Sequence, residues 1–175
     1  MTQNCLDVMH QYGEYPDGND LQAMEVPEVS VDVCAGDLLQ STTADSRLHA
    51  KLISSLAWTT DLATTRVAAK AAFVGVALGE FDSGTCHDPQ IDIPIAKYRA
   101  GSKFTRSYEI YNDAGAATPT TWVRGQGFTF AKNPSSNALL NDKIVKTSTA
   151  GHIVFRAVKD SGPSDQARAE VEFAS

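Results

Sequence analysis

Long apolar runs are what this 175-residue chain most plainly lacks. Its most hydrophobic stretch, AAFVGVALGEF at Ala71 to Phe81, stays apolar only as far as Leu78, well short of the roughly 20 residues that a membrane-spanning helix needs. The spacing of Gly75 and Gly79 therefore has no bilayer in which to pair helices. Cysteine is scarce as well. Cys5, Cys34 and Cys86 are odd in number and none stands in a CxxC pair, which argues against a full disulfide framework and a zinc ribbon. Basic charge is in deficit, 15 Lys and Arg against 21 Asp and Glu, and no basic run is present to neutralise phosphates, so no nucleic-acid partner is expected. The first twenty residues hold neither a basic n-region nor an apolar h-region, so synthesis in the cytosol is expected.

What is present has the texture of a globular protein. Apolar residues make up 42% and charged residues 21%, enough of both for a packed core and a solvated surface. Residues 1–27 are polar and punctuated by Tyr12-Gly13, Pro16-Asp17-Gly18 and Pro27, and they read as an extended N-terminal arm. Leu6, Val8, Met9, Leu21, Met24 and Val26 are too scattered for an amphipathic helix but suffice to dock an extended segment on another surface. They are the candidate partner-binding residues.

Residues 28–175 read as a single β-rich domain. Short alternating runs separated by Gly, Asp, Asn and Ser predict many short strands, hence a mainly β fold, a small β-barrel or β-sandwich. EVSVDV, RLHAKLI, KFTRSYEIY and TWVRGQGFTFAK follow this pattern, the last interrupted by Gly125-Gln126-Gly127 as a bulge or tight turn. In IDIPIA, Pro94 removes a ladder donor and points to an edge strand or a bulge. HIVFRAVK and ARAEVEFA form a C-terminal hairpin, with Ala167, Ala169, Val171 and Phe173 on the core face. One short α-helix is expected at about 60–70, with Thr60 as its cap, Asp61 in its first turn, and Arg66 and Lys70 towards its end. The AAFVGVALG run then reads as a buried strand. CAGDLL, RAGSKF and TAGHIVF echo one another, but their spacings are unequal, so repeated turn chemistry is expected and not a repeat architecture.

Candidate chemistry is thin. Cys86-His87-Asp88 sets a thiol, an imidazole and a carboxylate side by side, yet neighbours on a strand or turn diverge, which is poor geometry for a nucleophile and its base. A zinc site from Cys86, His87, Cys5 and His10 lacks paired ligand spacing. His49 and His152 lie within strand-like runs, where a satisfied histidine is commoner than a ligand. Asp32, Asp37, Asp82, Asp88 and Asp92 read as turn and surface residues. No GxSxG, HExxH, Walker or GxGxxG motif occurs, and Glu80-Phe81-Asp82 after Gly79 opens no phosphate-binding helix. No catalytic, cofactor-binding or metal-binding residue is expected. Trp58, Trp122, Tyr98, Tyr108 and Tyr111 could line a sugar platform, although aromatics in strands more often serve the core.

A strand leading into AGDLL, the phrase WTTDLATT at Trp58 to Thr65 with its alanine-rich helix, AFVGVALG, and a closing hairpin ending AEVEFA together resemble the small β-barrel decoration, or cement, proteins of tailed-bacteriophage heads. The resemblance covers about Val29 to Ser175 and is most specific from Trp58 to Gly79. It implies a non-enzymatic virion protein that binds the major capsid protein on the outer capsid surface, often as a homotrimer at a symmetry axis, and stabilises the head. It implies no cofactor, nucleic acid or membrane. Two other readings of the residues remain: a carbohydrate-binding β-sandwich of a phage tail or cell-surface assembly, from the aromatics, and a small hydrolase using Cys86 and a histidine.

Overall fold

The computed structural model of the chain describes residues 21–25, 32–44, 47–80, 92–99 and 104–174. Two five-stranded β-barrels follow one another along it. The first contains β1 (Leu21–Glu25), β2 (Leu38–Ala44), β3 (Arg47–Leu52), β4 (Phe73–Ala77) and β5 (Asp92–Lys97). The second contains β6 (Thr105–Tyr111), β7 (Gly127–Lys132), β8 (Leu139–Lys146), β9 (Phe155–Ala157) and β10 (Arg168–Phe173). Among the described residues one α-helix, α1 (Leu62–Ala72), joins β3 to β4. The protein is mainly β with one short helix, as its residue pattern implies, and the barrel occurs twice.

The two barrels share one topology. Hydrogen bonding runs β1-β3-β2-β4-β5 and back to β1 in the first, and β6-β8-β7-β9-β10 and back to β6 in the second. In each, the first and third strands are parallel and the other four pairs are antiparallel. The registers also correspond. Gly75, Val76 and Ala77 face Lys97, Ala96 and Ile95, as Phe155, Arg156 and Ala157 face Phe173, Glu172 and Val171. Beyond the ladders, Tyr98 N–H donates to Val74 O at 2.7 Å and Ala174 N–H to Val154 O at 2.8 Å, at matching places.

This is a repeat architecture, contrary to the expectation drawn from the echoing phrases. Of the three phrases, CAGDLL holds the glycine turn into β2, Ala150-Gly151-His152 is a 3-10 turn, and residues 100–103 of RAGSKF lie outside the described residues. The repeat lies in backbone pairing, with different side chains at matching positions.

Closure removes sheet edges, so Pro94 is not on an edge strand. Its ladder to β4 instead stops beside it: Leu78 N–H donates to Pro94 O at 2.9 Å, and the proline has no N–H to return. β1 falls inside the stretch expected to be the arm, and its backbone pairs antiparallel with β5 from Leu21↔Ala96 to Glu25↔Asp92. Residues 1–20 and 26–27 of that stretch lie outside the described residues.

Packing joins the barrels more than it separates them. Val33, Leu39, Ala50, Ala77 and Ile95 form a small cluster belonging to the first barrel. The larger cluster takes Leu38, Phe73 and Val76 from the first barrel and Phe128, Phe130, Phe155 and Phe173 from the second. Phe73 is its hub, with ring centroids 5.3 Å from Phe130, 5.8 Å from Phe155 and 6.1 Å from Phe173, in edge-on arrangements that suit aromatic quadrupoles. The C-terminal hairpin forms as expected, with Ala169, Val171 and Phe173 buried, while Ala167 is exposed.

The helix begins one residue later than its sequence signals suggest. Asp61, not Thr60, is the cap: its backbone is extended and its Oδ1 accepts from Thr64 N–H at 2.7 Å. That backbone donor holds the Asp61 carboxyl below its usual range. Arg66 is not at the helix C-terminus to meet its dipole. It is buried and reaches the second barrel, donating from Nε to Phe130 O at 3.0 Å and from Nη2 to Asp113 Oδ1 at 2.8 Å. The chain then passes straight into β4, buried at four of its five positions as expected.

Candidate functional site

A polar cluster lies at the joint between the barrels. The Cys34–Asp37 turn leads into β2, and Gly36 there has φ +102°, which favours glycine. Gly36 N–H donates to Ala77 O at 2.7 Å, fixing the turn to the end of β4. From the second barrel, Arg106 Nη2 donates to Ala35 O at 2.7 Å and the Tyr108 hydroxyl donates to Gly36 O at 3.0 Å. A Cβ on Gly36 would collide with the Arg106 guanidinium, so the absence of a side chain admits the clamp. Strand alternation explains the pairing, since Arg106 and Tyr108 are two apart and share one face of β6.

Asp37 closes the turn on itself, its Oδ2 accepting from Cys34 N–H at 2.8 Å. Burial pushes its carboxyl above the usual range, and nearby Asp142 adds to this while the Cys34 N–H, Arg106 and Lys143 oppose it. Partial burial also works against a charged Lys143, but Asp142 and Glu109 outweigh it and raise the ammonium's pKa; Glu109 Oε2 lies 3.2 Å from Lys143 Nζ. Burial pushes the Tyr108 phenol far upward, so it stays a donor. Partial burial, and then Asp37, Glu80, Asp32 and Asp142, push the Cys34 thiol upward, which makes it a weak nucleophile near neutral pH. The cluster is built to hold two barrels together. Asp37, Arg106, Tyr108 and Lys143 are each paired or tied to backbone.

Other sequence candidates are dispersed. Cys86, His87, Asp88, Asp82, Cys5 and His10 lie outside the described residues, as do Leu6, Val8, Met9 and Val26. Leu21 and Met24 stand in β1, opposite Ala96 and Ile93 of β5. His49 is buried in β3, and His152 sits in the 3-10 turn before β9. Among the described residues no group of three or more His, Cys, Asp and Glu could hold a metal ion. Also among them, no helix is long and apolar enough to cross a membrane.

No family model, curated protein or solved structure significantly matches this chain. Its functional reading therefore rests on its own residues.

Trp122, Tyr98 and Tyr108 serve the core rather than an exposed platform. Trp122 is buried, donates from Nε1 to Lys159 O at 3.0 Å and packs edge-on against Phe128. Tyr98 packs against Phe73 and Phe173, and Tyr108 against Phe155. The sequence pattern gives no sign of Arg106, and it places Gly36 in a turn and Arg66 in the helix without revealing that both meet the second barrel. A usable signal existed in the two glycine turns, Ala35-Gly36-Asp37 and Arg124-Gly125-Gln126, each followed by an apolar strand.

Proposed function

We propose that the protein is a non-enzymatic structural component that binds the outer surface of a tailed-phage capsid and stabilises the assembled head. The observation that carries this reading is the phrase from Trp58 to Gly79, on which the resemblance to head decoration proteins rests. That phrase folds as one continuous unit, a capped helix running into a buried barrel strand, and it bridges both barrels through Arg66 and Phe73. A decoration protein must transmit load between contacts on a shell under internal pressure. Two closed barrels with a shared aromatic cluster and a polar clamp suit that task, because neither barrel can shift without disturbing the other.

The partner in this reading is the major capsid protein, and the site is the virion exterior. Leu6, Val8, Met9 and Val26 supply apolar contacts from the arm region. A segment from there can add a strand to a sheet edge of the capsid protein. It cannot add one to either barrel, because both are closed.

Co-sedimentation with mature heads tests the reading. The purified protein is expected to pellet with them and saturate at a fixed number per capsid. Protein that stays in the supernatant at every ratio, at physiological salt, overturns it.

A further inference from the structure

Both barrels enter their second strand through the same turn. Gly36 and Gly125 have φ of +102° and +82°. Gly125 N–H donates to Ala157 O at 2.8 Å, as Gly36 N–H does to Ala77 O. Each turn is then sealed by a return bond, Ala77 N–H to Asp37 O at 2.9 Å and Ala157 N–H to Gln126 O at 3.0 Å. By this correspondence Val123 takes the place of Cys34, and Arg124 that of Ala35.

What covers the two turns differs. Arg106 and Tyr108, on the first strand of the following barrel, clamp the first turn. Among the described residues no barrel covers the second turn. A Cβ built on Gly125 meets nothing within 4 Å, Arg124 is exposed, and Val123 is 66% exposed, more than any other large hydrophobic among the described residues. Gly125 O accepts from Arg156 at 3.0 Å and Arg124 N–H donates to Asp160 Oδ1 at 2.6 Å, so the turn is held in shape by its own barrel while the Val123 and Arg124 side chains stay exposed.

The matching receptor position is also identifiable. Arg106 and Tyr108 pair with Val171 and Ala169 of β10, while Gln22 and Met24 pair with Ile95 and Ile93 of β5. With Ile95 matching Val171, β1 of the first barrel holds the register positions that β6 holds in the second. The joint inside the chain is thus heterologous, a turn of one barrel against the first strand of the next, and such a joint can be used again between molecules.

We propose that the Val123–Gln126 turn of one copy docks on β1, Leu21–Glu25, of a second copy, so that chains associate head to tail. Charge favours this polarity. Residues 1–99 hold 14 acidic and 6 basic side chains, net −8, while residues 100–175 hold 7 acidic and 9 basic, net +2. A head-to-head pair would set the acidic halves together, whereas a head-to-tail pair sets opposite charges together. Such an interface closes into a ring or extends into a filament, according to the rotation between barrels. The inference does not depend on capsid binding, since the joint is read from the chain itself.

Native mass spectrometry and light scattering of the full chain, without heads, test it. The wild type is expected to form multiples of the 18.8 kDa chain that dissociate as salt is raised. Val123→Asp is expected to lose the oligomer while keeping its melting temperature, and Arg124→Glu to do the same if the valine variant is poorly folded. Val67→Asp, on the exposed face of α1, is expected to keep it. A photo-crosslinking residue at position 123 is expected to label residues 21–25 of a neighbouring copy. A wild type that stays monomeric at high concentration, an oligomer indifferent to Val123→Asp and Arg124→Glu, or labelling elsewhere overturns the proposal.

Discussion

The hydroxyl of Tyr108, in the second barrel, donates to the carbonyl of Gly36, in the first, across 3.0 Å and with both residues buried. The bond links residues 72 apart in sequence and sits where the barrels meet. Tyr108→Phe removes the donor and leaves a buried carbonyl without it. The expected loss is about 1 to 3 kcal/mol, measured by chemical denaturation, with the strand content of the circular dichroism spectrum unchanged. A variant as stable as the wild type would show that the clamp contributes nothing.

Asp37 makes the same joint sensitive to pH. Its carboxyl titrates above the unfolded reference of 3.8, chiefly because of burial, so the folded chain favours the protonated form more than the unfolded chain does. The sign follows by linkage: stability from this group is fully present below the unfolded value and is lost as pH rises through the higher folded one. Asp37→Asn keeps an acceptor for Cys34 N–H without the charge. Melting temperatures recorded from acid to neutral pH are expected to fall less steeply for the variant, and a slope equal to the wild type's would contradict this.

Gly75 has φ +152°, and a Cβ on it would overlap the Ala96 carbonyl oxygen of β5. The obstacle is backbone, which cannot rotate away. Gly75→Val is therefore expected to cost at least about 3 kcal/mol, the upper end of ordinary overpacking, with backbone strain added. Gly151 provides the contrast: a Cβ there meets nothing within 4 Å, so Gly151→Ala is expected to stay within about 0.5 kcal/mol of the wild type. Thermal denaturation of both variants checks the pair.

The helix cap separates two neighbouring residues that sequence alone leaves interchangeable. Asp61→Ala is expected to lower the melting temperature, because Thr64 N–H loses its acceptor, whereas Thr60→Ala is expected to leave it unchanged. The reverse ranking would mean that the helix starts elsewhere.

Much of the fold was legible because side-chain alternation and burial share one cause. β10 alternates strictly since Ala169, Val171 and Phe173 line a core while Arg168 and Glu172 meet water. The helix and the buried β4 were legible for a similar reason, an alanine-rich run and a β-rich run at adjoining positions. β8 was not, because LLNDKIVK buries Leu139, Ile144 and Val145 without a period of two along its length. The duplication was hidden because barrel closure depends on which strands pair, and equivalent strands such as β4 and β9 have unlike residues, FVGVA against FRA. The joint was hidden for a further reason. Arg106 reaches Ala35 across 71 residues, and no local pattern records a contact of that range.

The proposed role is mechanical, the strengthening of a phage head on binding, and the temperature at which heads release their DNA measures it most directly. Heads lacking the protein, refilled with the purified chain to saturation, are expected to release DNA at a higher temperature than bare heads, and heads refilled with Tyr108→Phe at one in between. A release temperature unchanged by saturating wild-type protein would contradict the account.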